Sequence, residues 1–384
     1  MMRNAITDEA RNSSAKAIRF SLSIGAALTA AACVSPQSWE AVRVLQDIEA
    51  RELPSDLKAM TPEPDRRKVS FRTDERVIFA DIYDPRQPIG ARLVLVPGFT
   101  PHGKDDPQLV SLAYTLARAR FLVLVPDLNG SRALQVRMAD AHDIANAVRV
   151  LDEWSAPAPH GVGIVAISYA VALALSVGVN PGINEQTLFI LGLGGFYDAS
   201  SVVRYITTGH HRERPGARWQ IGMPRNSARW VFLSSNIDLL DDEADRSALA
   251  EVAEQRMRDP EAPIDGLIER VSPEGRALLD LLMNTQPDLV DDLIARLSAN
   301  VRSHLDHLSP RTMPLSRLAG RLILIHGAED TLIPYTETLA LAAASTSAEV
   351  FIVEEFSHID PSNIGIAGRL TLIDAVQALL RRRR

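Results

Sequence analysis

The 384-residue chain has one cysteine, few aromatic side chains (5%) and no excess of positive charge. Each shortage excludes something. A lone cysteine cannot form an intramolecular disulfide, and no cluster of Cys and His with metal-ligand spacing is found. Lys and Arg total 41 against 48 Asp and Glu, a formal net charge of −7. That balance lacks the basic face broad nucleic-acid binding requires, so no nucleic-acid partner is expected. No apolar run reaches the roughly 18 to 20 residues of a membrane-spanning helix. Walker and dinucleotide-binding patterns are missing, and no fixed-period repeat is found. No cofactor and no metal is therefore expected. What remains, 46% hydrophobic and 23% charged, is an ordinary globular composition with ample chain for a large core.

The first residues read as an export signal. Arg3, Arg11, Lys16 and Arg19 precede a mildly apolar run from Phe20 to Ala32 that ends in small residues. Cys33 follows Ala30-Ala31-Ala32 directly and resembles the cysteine of a bacterial lipobox, whose thiol is lipidated and becomes the mature N-terminus. The resemblance implies a bacterial cell-envelope protein, exported and held to the membrane by a lipid anchor at Cys33; an unprocessed chain would be cytoplasmic. Ser35 and Pro36 suit a helix N-cap and first helical position, and Trp39, Val42, Leu45 and Ile48 then recur every third residue. This helix would pack on the following domain or tether it to the membrane. T-P-E-P-D at Thr61–Asp65 is a turn-rich linker. The expected layout is a signal peptide over residues 1–32, a helix and linker over 33–67, and one domain over 68–384.

From Lys68 onward, short β-rich runs alternate with helical ones. Strands are expected at Val69–Thr73, Arg76–Tyr83, Arg92–Pro97, Phe121–Pro126, Gly161–Ile167, Leu188–Leu193, Arg321–His326 and Ala348–Glu354. Middle runs such as F-L-V-L-V are continuously apolar, which implies strands covered on both faces and a mostly parallel sheet. Helical periodicity fills the gaps at Gln108–Arg118, Asp140–Trp154, Ser168–Val177 and Ala367–Leu380. The fold class is α/β, a doubly wound and mostly parallel sheet. The long gap between the strands ending at Leu193 and starting at Arg321 reads as a helical cap insertion over about 196–315, with helices at Ser247–Met257, Gly275–Met283, Asp288–Leu297 and Val301–Leu308.

Chemistry-bearing residues fall at strand ends. A-I-S-Y-A, Ala166–Ala170, follows a strand and opens a helix. A nucleophile on such a turn is held exposed and strained, provided its neighbours two residues away are small. Here Ala166 and Ala170 stand where the G-x-S-x-G pattern has glycine. H-G-A-E-D, His326–Asp330, ends a later strand, and F-S-H-I-D, Phe356–Asp360, follows the last one. Ser168, Asp330 and His358 thus appear in that order, each just beyond a parallel strand's carboxyl end, where open α/β sheets place ligands.

These motifs resemble the α/β-hydrolase superfamily, in its serine esterase and lipase-like branch, over roughly residues 68–384. V-P-G-F-T (Val96–Thr100) resembles the family's oxyanion loop, P-D-L-N-G (Pro126–Gly130) the segment after the fourth strand, and the G-x-x-D of Gly327–Asp330 its acid turn. The resemblance implies that Ser168 attacks an acyl carbonyl, His358 shuttles the proton, and Asp330 fixes the imidazole tautomer. The oxyanion would be bound by the backbone N–H of Tyr169 and by one from Phe99 or Thr100.

Simpler accounts exist for each residue alone. Serine favours helix starts, acids are common in turns, and a loop histidine needs no function; only the joint order and spacing single out the triad. Glu329 is the alternative acid. His102 reads as a polar loop residue, and Asp105 and Asp106 as helix N-terminal charges or caps. His210 and His211 would diverge on a helix and so make no metal pair. The acidic run from Asp238 to Asp245 reads as a solvated loop. Arg381–Arg384 could touch anionic lipid, and more simply complement a helix C-terminus. Phe196, Tyr197, Tyr205, Trp219, Trp230 and Phe232 either line an acyl pocket or glue the cap to the core. The expected activity is hydrolysis of a small-molecule carboxylic ester or thioester through an acyl-enzyme. The alternatives are acyl transfer on the same triad and a binding protein that keeps the fold without turnover.

Overall fold

The computed structural model describes residues 36–73, 76–155, 159–358 and 364–383. Cys33, with the whole expected signal peptide, lies outside the described residues. Ten strands are found among them: β1 (Asp65–Arg72), β2 (Val77–Asp84), β3 (Ala91–Val96), β4 (Phe121–Pro126), β5 (Val162–Ile167), β6 (Thr187–Leu193), β7 (His210–His211), β8 (Gln220–Ile221), β9 (Leu322–Gly327) and β10 (Glu349–Val353). Eight form one sheet in the order β1-β2-β4-β3-β5-β6-β9-β10. The hairpin β1–β2 joins β4 antiparallel, and the six strands from β4 to β10 run parallel. The eight expected strands are these eight, with ends shifted by a few residues.

Every residue of β3, β4 and β9 is buried, because helices cover both sheet faces. The period-2 alternation of a strand splits each run between two apolar layers. Val94, Val96, Leu122 and Leu124 face one layer, and Leu93, Leu95, Phe121 and Val123 the other. The second layer is closed by α1 (Pro36–Ala50), α2 (Pro107–Arg118) and, at the chain's end, the helix Ile366–Leu380. The first is closed by α3 (Ala139–Asp152), α4 (Ala170–Val179) and the cap. Helix α1 is thus part of the core rather than a detached tether: Ala41, Val44 and Leu45 are buried in the second layer. Its buried Asp47 accepts hydrogen bonds from Thr115 Oγ1 (2.6 Å) and Lys58 Nζ (2.8 Å).

The insertion between β6 and β9 holds α5 (Ala199–Thr208), the hairpin β7–β8, α6 (Ala228–Asn236), α7 (Glu243–Arg258), α8 (Pro273–Met283), a short helix Val290–Ala295 and α9 (Ala299–Leu308). Two helices follow in the core, α10 (Thr336–Ala344) and α11 (Ile366–Leu380). Several expectations need correction. His210 and His211 lie on a strand, pairing with Ile221 and Gln220. The helix expected over Asp288–Leu297 is broken into a 3₁₀ turn at Pro287–Leu289 and the short helix after it. The acidic run is not simply solvated. Asp242 caps α7 through the amides of Ala244 and Asp245. Asp245 is buried and accepts from Ser272 N (2.7 Å) and Gly275 N (3.0 Å), joining two cap helices.

Candidate active site

Helix α4 begins at Ala170, two residues later than the periodicity suggests, because Ser168 and Tyr169 form the turn itself. Ser168 has φ +59°, a left-handed conformation costly for a residue with a Cβ. Its amide donates to Leu193 O (2.7 Å), which ties the turn to the neighbouring strand. Ala166 and Ala170 are fully buried on either side, so alanine methyl groups are accommodated where the G-x-S-x-G pattern has glycine.

Three elements converge on this turn. His358 Nε2 lies 2.9 Å from Ser168 Oγ, and His358 Nδ1 lies 2.6 Å from Asp330 Oδ2. Asp330 Oδ1 accepts the amides of Leu332 (2.8 Å) and Ile333 (3.0 Å). A carboxylate only accepts, so Nδ1 of His358 carries the proton and Nε2 is free to take one from Ser168. Burial alone would raise the Asp330 pKa; hydrogen bonds from His326 and His358 outweigh it and hold the carboxyl well below the usual range. Glu329, the alternative acid, makes no such contact: its amide closes the turn on Phe356 O, and its side chain is absent from the hydrogen-bonded chain.

Two glycines make this convergence possible. A Cβ on Gly327 would fall 2.0 Å from Phe356 O, so only glycine lets the histidine-bearing segment pass the end of β9. Gly194, with φ +65°, lies against the His358 ring, where a Cβ would come 3.2 Å from Cε1.

The loop after β3 packs directly on the serine, with Gly98 beside Ser168 Cβ and the Phe99 and Tyr169 rings 4.2 Å apart. Ser131, just after P-D-L-N-G, staples this loop. Its hydroxyl donates to Gly98 O (2.6 Å) and its carbonyl accepts the Thr100 amide (3.2 Å). Thr100 is therefore a correction: its N–H is occupied and cannot serve an oxyanion. Among the described residues the amides of Phe99 and Tyr169 have no acceptor, and both flank Ser168. Thr100 Oγ1 instead donates to Asp106, which caps α2 through the amides of Gln108 and Leu109.

One residue beside the acid escaped sequence reasoning. His326, fully buried at the end of β9, places Nε2 3.2 Å from Asp330 Oδ2 and 2.9 Å from Ile333 O. A carbonyl oxygen cannot donate, so Nε2 carries the hydrogen, and Nδ1 accepts from Thr338 Oγ1 (2.7 Å). The signal was in H-G-A-E-D, where residues four apart flank one turn. The other candidates lie apart from the site chemistry. His102 is an exposed loop residue, and Asp105 pairs with Lys104 and Arg66. Arg381 and Arg382 pair with Glu349, and Arg383 with Glu40. Of the six clustered aromatics, Phe196, Tyr205 and Trp230 are buried in packing between cap and core, which favours the glue role for them. Among the described residues no group of three or more His, Cys, Asp or Glu could hold a metal.

No family model and no curated protein sequence matches the chain. Among solved structures, the α/β hydrolase GrgF from Penicillium sp. sh18 superimposes with a TM-score of 0.50 at 13% identity, covering 83% of this chain and 99% of its own. Est1E from Butyrivibrio proteoclasticus gives 0.43 at 13% identity, over 82% of this chain and 98% of that one. Acylaminoacyl peptidase from Pyrococcus horikoshii gives 0.46 at 12% identity, with 84% of this chain matching 42% of the peptidase. The chain has the α/β-hydrolase fold.

Proposed function

We propose that this α/β-hydrolase-fold chain is a serine hydrolase that cleaves a small-molecule carboxylic ester or thioester through an acyl-enzyme. The observation that carries the reading is the chain Ser168–His358–Asp330, with contacts of 2.9 and 2.6 Å on a serine at φ +59°. In the first step Ser168 Oγ attacks the acyl carbonyl while Nε2 of His358 takes its proton. Asp330 stabilises the imidazolium, and the same proton leaves with the alcohol or thiol. Water then repeats the sequence on the acyl-serine. The oxyanion is bound by the amides of Tyr169 and Phe99, each such donor stabilising the transition state by ~3 kcal/mol. The preference for an ester with an apolar acyl part is drawn from the sequence resemblance and the apolar cap.

A fluorophosphonate probe tests this directly, because only an activated serine reacts. The wild-type protein is expected to label and to hydrolyse p-nitrophenyl esters, and Ser168→Ala to lose both while staying folded. An unlabelled and inactive wild type would leave a binding protein on this fold, and equal activity in the variant would overturn the assignment of Ser168 as nucleophile.

Export and lipid anchoring at Cys33 belong to the same reading, supported by the basic and apolar leader and the small residues before the cysteine. Cys33→Ser is expected to move the protein from the detergent-extracted membrane fraction to the soluble one. A mature chain that still begins at Met1 or Met2 in the cytosol would refute both.

A further inference from the structure

One stretch of the cap has a charge opposite to that of the whole chain. From Arg204 to Arg229 there are six arginines and one acid, Glu213, in a protein of net charge −7. Two of the six are tied inward. Arg204 pairs with Asp291 (2.6 Å), and Arg229 donates to the carbonyls of Leu282 and Thr207. Arg212 stacks 4.2 Å over the Trp219 ring, and Arg214, Arg218 and Arg225 are exposed; none of these four side chains has an acidic partner among the described residues. The same stretch exposes Ile221 (75%) and Met223 (87%), the latter the most exposed large apolar side chain among the described residues.

The surface has a fixed base. Strands β7 and β8 pair at its root, Tyr335 Oη donates to Gln220 Oε1 (3.0 Å), and the Arg225 amide donates to Thr331 O (2.9 Å). Tyr205 Oη, from the preceding helix, donates to Asp330 O (2.8 Å). The hairpin therefore stands on the loop that carries the candidate acid.

We propose that residues 212–225 form a docking surface for an anionic phospholipid bilayer. Unpaired guanidinium groups attract anionic headgroups, and exposed aliphatic side chains beside them gain a nonaqueous place to go at the headgroup–acyl boundary. A dissolved polyanion would satisfy the arginines but leave Ile221 and Met223 in water. The acidic remainder of the molecule is repelled by the same surface, so docking is oriented and brings the Asp330 side of the molecule toward the lipid.

The test is co-sedimentation of the full-length protein with phosphatidylcholine vesicles, pure or containing about 30% phosphatidylglycerol. The triple variant Arg214→Gln, Arg218→Gln, Arg225→Gln keeps the Arg212–Trp219 stack. It is expected to partition about 100-fold more weakly than the parent onto the anionic vesicles, at about fivefold per arginine, and equally onto the neutral ones. The pair Ile221→Ser and Met223→Ser, which adds no charge, is expected to weaken anionic partitioning by about tenfold or more. All variants share the same N-terminus, so the ratios report the hairpin alone, and their circular dichroism is expected to match the parent. Equal partitioning of parent and triple variant would overturn the proposal. So would a serine pair that binds like the parent, since the surface would then be a purely electrostatic anion site.

Discussion

Asp330 is the residue on which the site turns, and it is held from more sides than a triad requires. Three donors converge on a carboxylate with no exposed side-chain surface, Nδ1 of His358 and the amides of Leu332 and Ile333, and the Nε2–H of His326, bonded to Ile333 O, lies 3.2 Å from it. A buried charge this well satisfied is ionised and fixed in direction, which is what a histidine base needs from its partner. Under the proposed function, His326 is a positioning residue acting through Asp330. His326→Leu removes a positive N–H dipole 3.2 Å from Asp330 and the partner of Ile333 O in the same turn, and kcat/KM is expected to fall about tenfold or more with KM little changed. His326→Gln keeps an N–H near the Nε2 position and is expected to recover most of that loss. Equal kcat/KM in wild type and His326→Leu would show that His326 only packs. The convergence of Ser168, Asp330 and His358 was legible in the sequence, because serine, acid and histidine each follow a recognisable apolar strand. The choice between Phe99 and Thr100 was not, because it depends on which amide the Ser131 carbonyl occupies, a contact made across 31 residues.

Among elements, legibility followed the strength of the periodic signal. Of the eight long strands, β3, β4, β5, β6, β9 and β10 are largely apolar runs, β1 and β2 mix polar and apolar residues, and all eight appear. Strands β7 and β8 have two residues each, too short to show any period, and α5, although amphipathic, and α6 are rich in Ser, Thr and Asn, residues of modest helix propensity. Helix α1 was read correctly as a helix, but a three-residue spacing cannot say which surface receives it. The structure shows the receiving surface to be α11 and α2. Glu49 meets Arg369 (2.6 Å), Glu40 meets Arg383 (2.6 Å), and Leu45 is buried among the apolar residues of the second layer. Leu45→Ala is expected to destabilise the protein by about 3 kcal/mol, because the neighbours cannot collapse fully into the vacated space. Chemical denaturation measures this. A change under about 0.5 kcal/mol, the range of surface substitutions, would show α1 to be loosely attached.

At the scale of the whole molecule, two buried carboxyls set how stability depends on pH. Asp140, fully buried in α3, is pushed up to about 6, first by burial and then by the nearby Asp143. Glu337, at the start of α10, is pushed up to about 7 by burial, although the amides of Asp198 and Tyr197 donate to it. In the unfolded chain the ordinary values are 3.8 and 4.5. Below those values both states hold the protons and neither group favours either state. Between there and about pH 7 the unfolded chain has released protons that the native one keeps, so stability falls as pH rises. Asp330 works in the opposite sense, since its native pKa is lowered. Its contribution is present above the unfolded range and lost only in stronger acid. The protein is therefore expected to be most stable in mild acid and to lose on the order of 3 kcal/mol per raised carboxyl by about pH 8. Glu337 also joins core to cap, because Tyr197 and Asp198 lead into α5, and Arg311 at the cap's exit donates its amide to Tyr197 O. Glu337→Gln supplies a neutral carbonyl to the same two amides at every pH. Its Tm is expected to match wild type near pH 5 and to exceed it near pH 8, flattening the curve. If the two Tm curves instead run parallel from about pH 5 to about pH 8, Glu337 is already ionised in the folded protein by about pH 5, its pKa is not raised, and the joint does not sense pH.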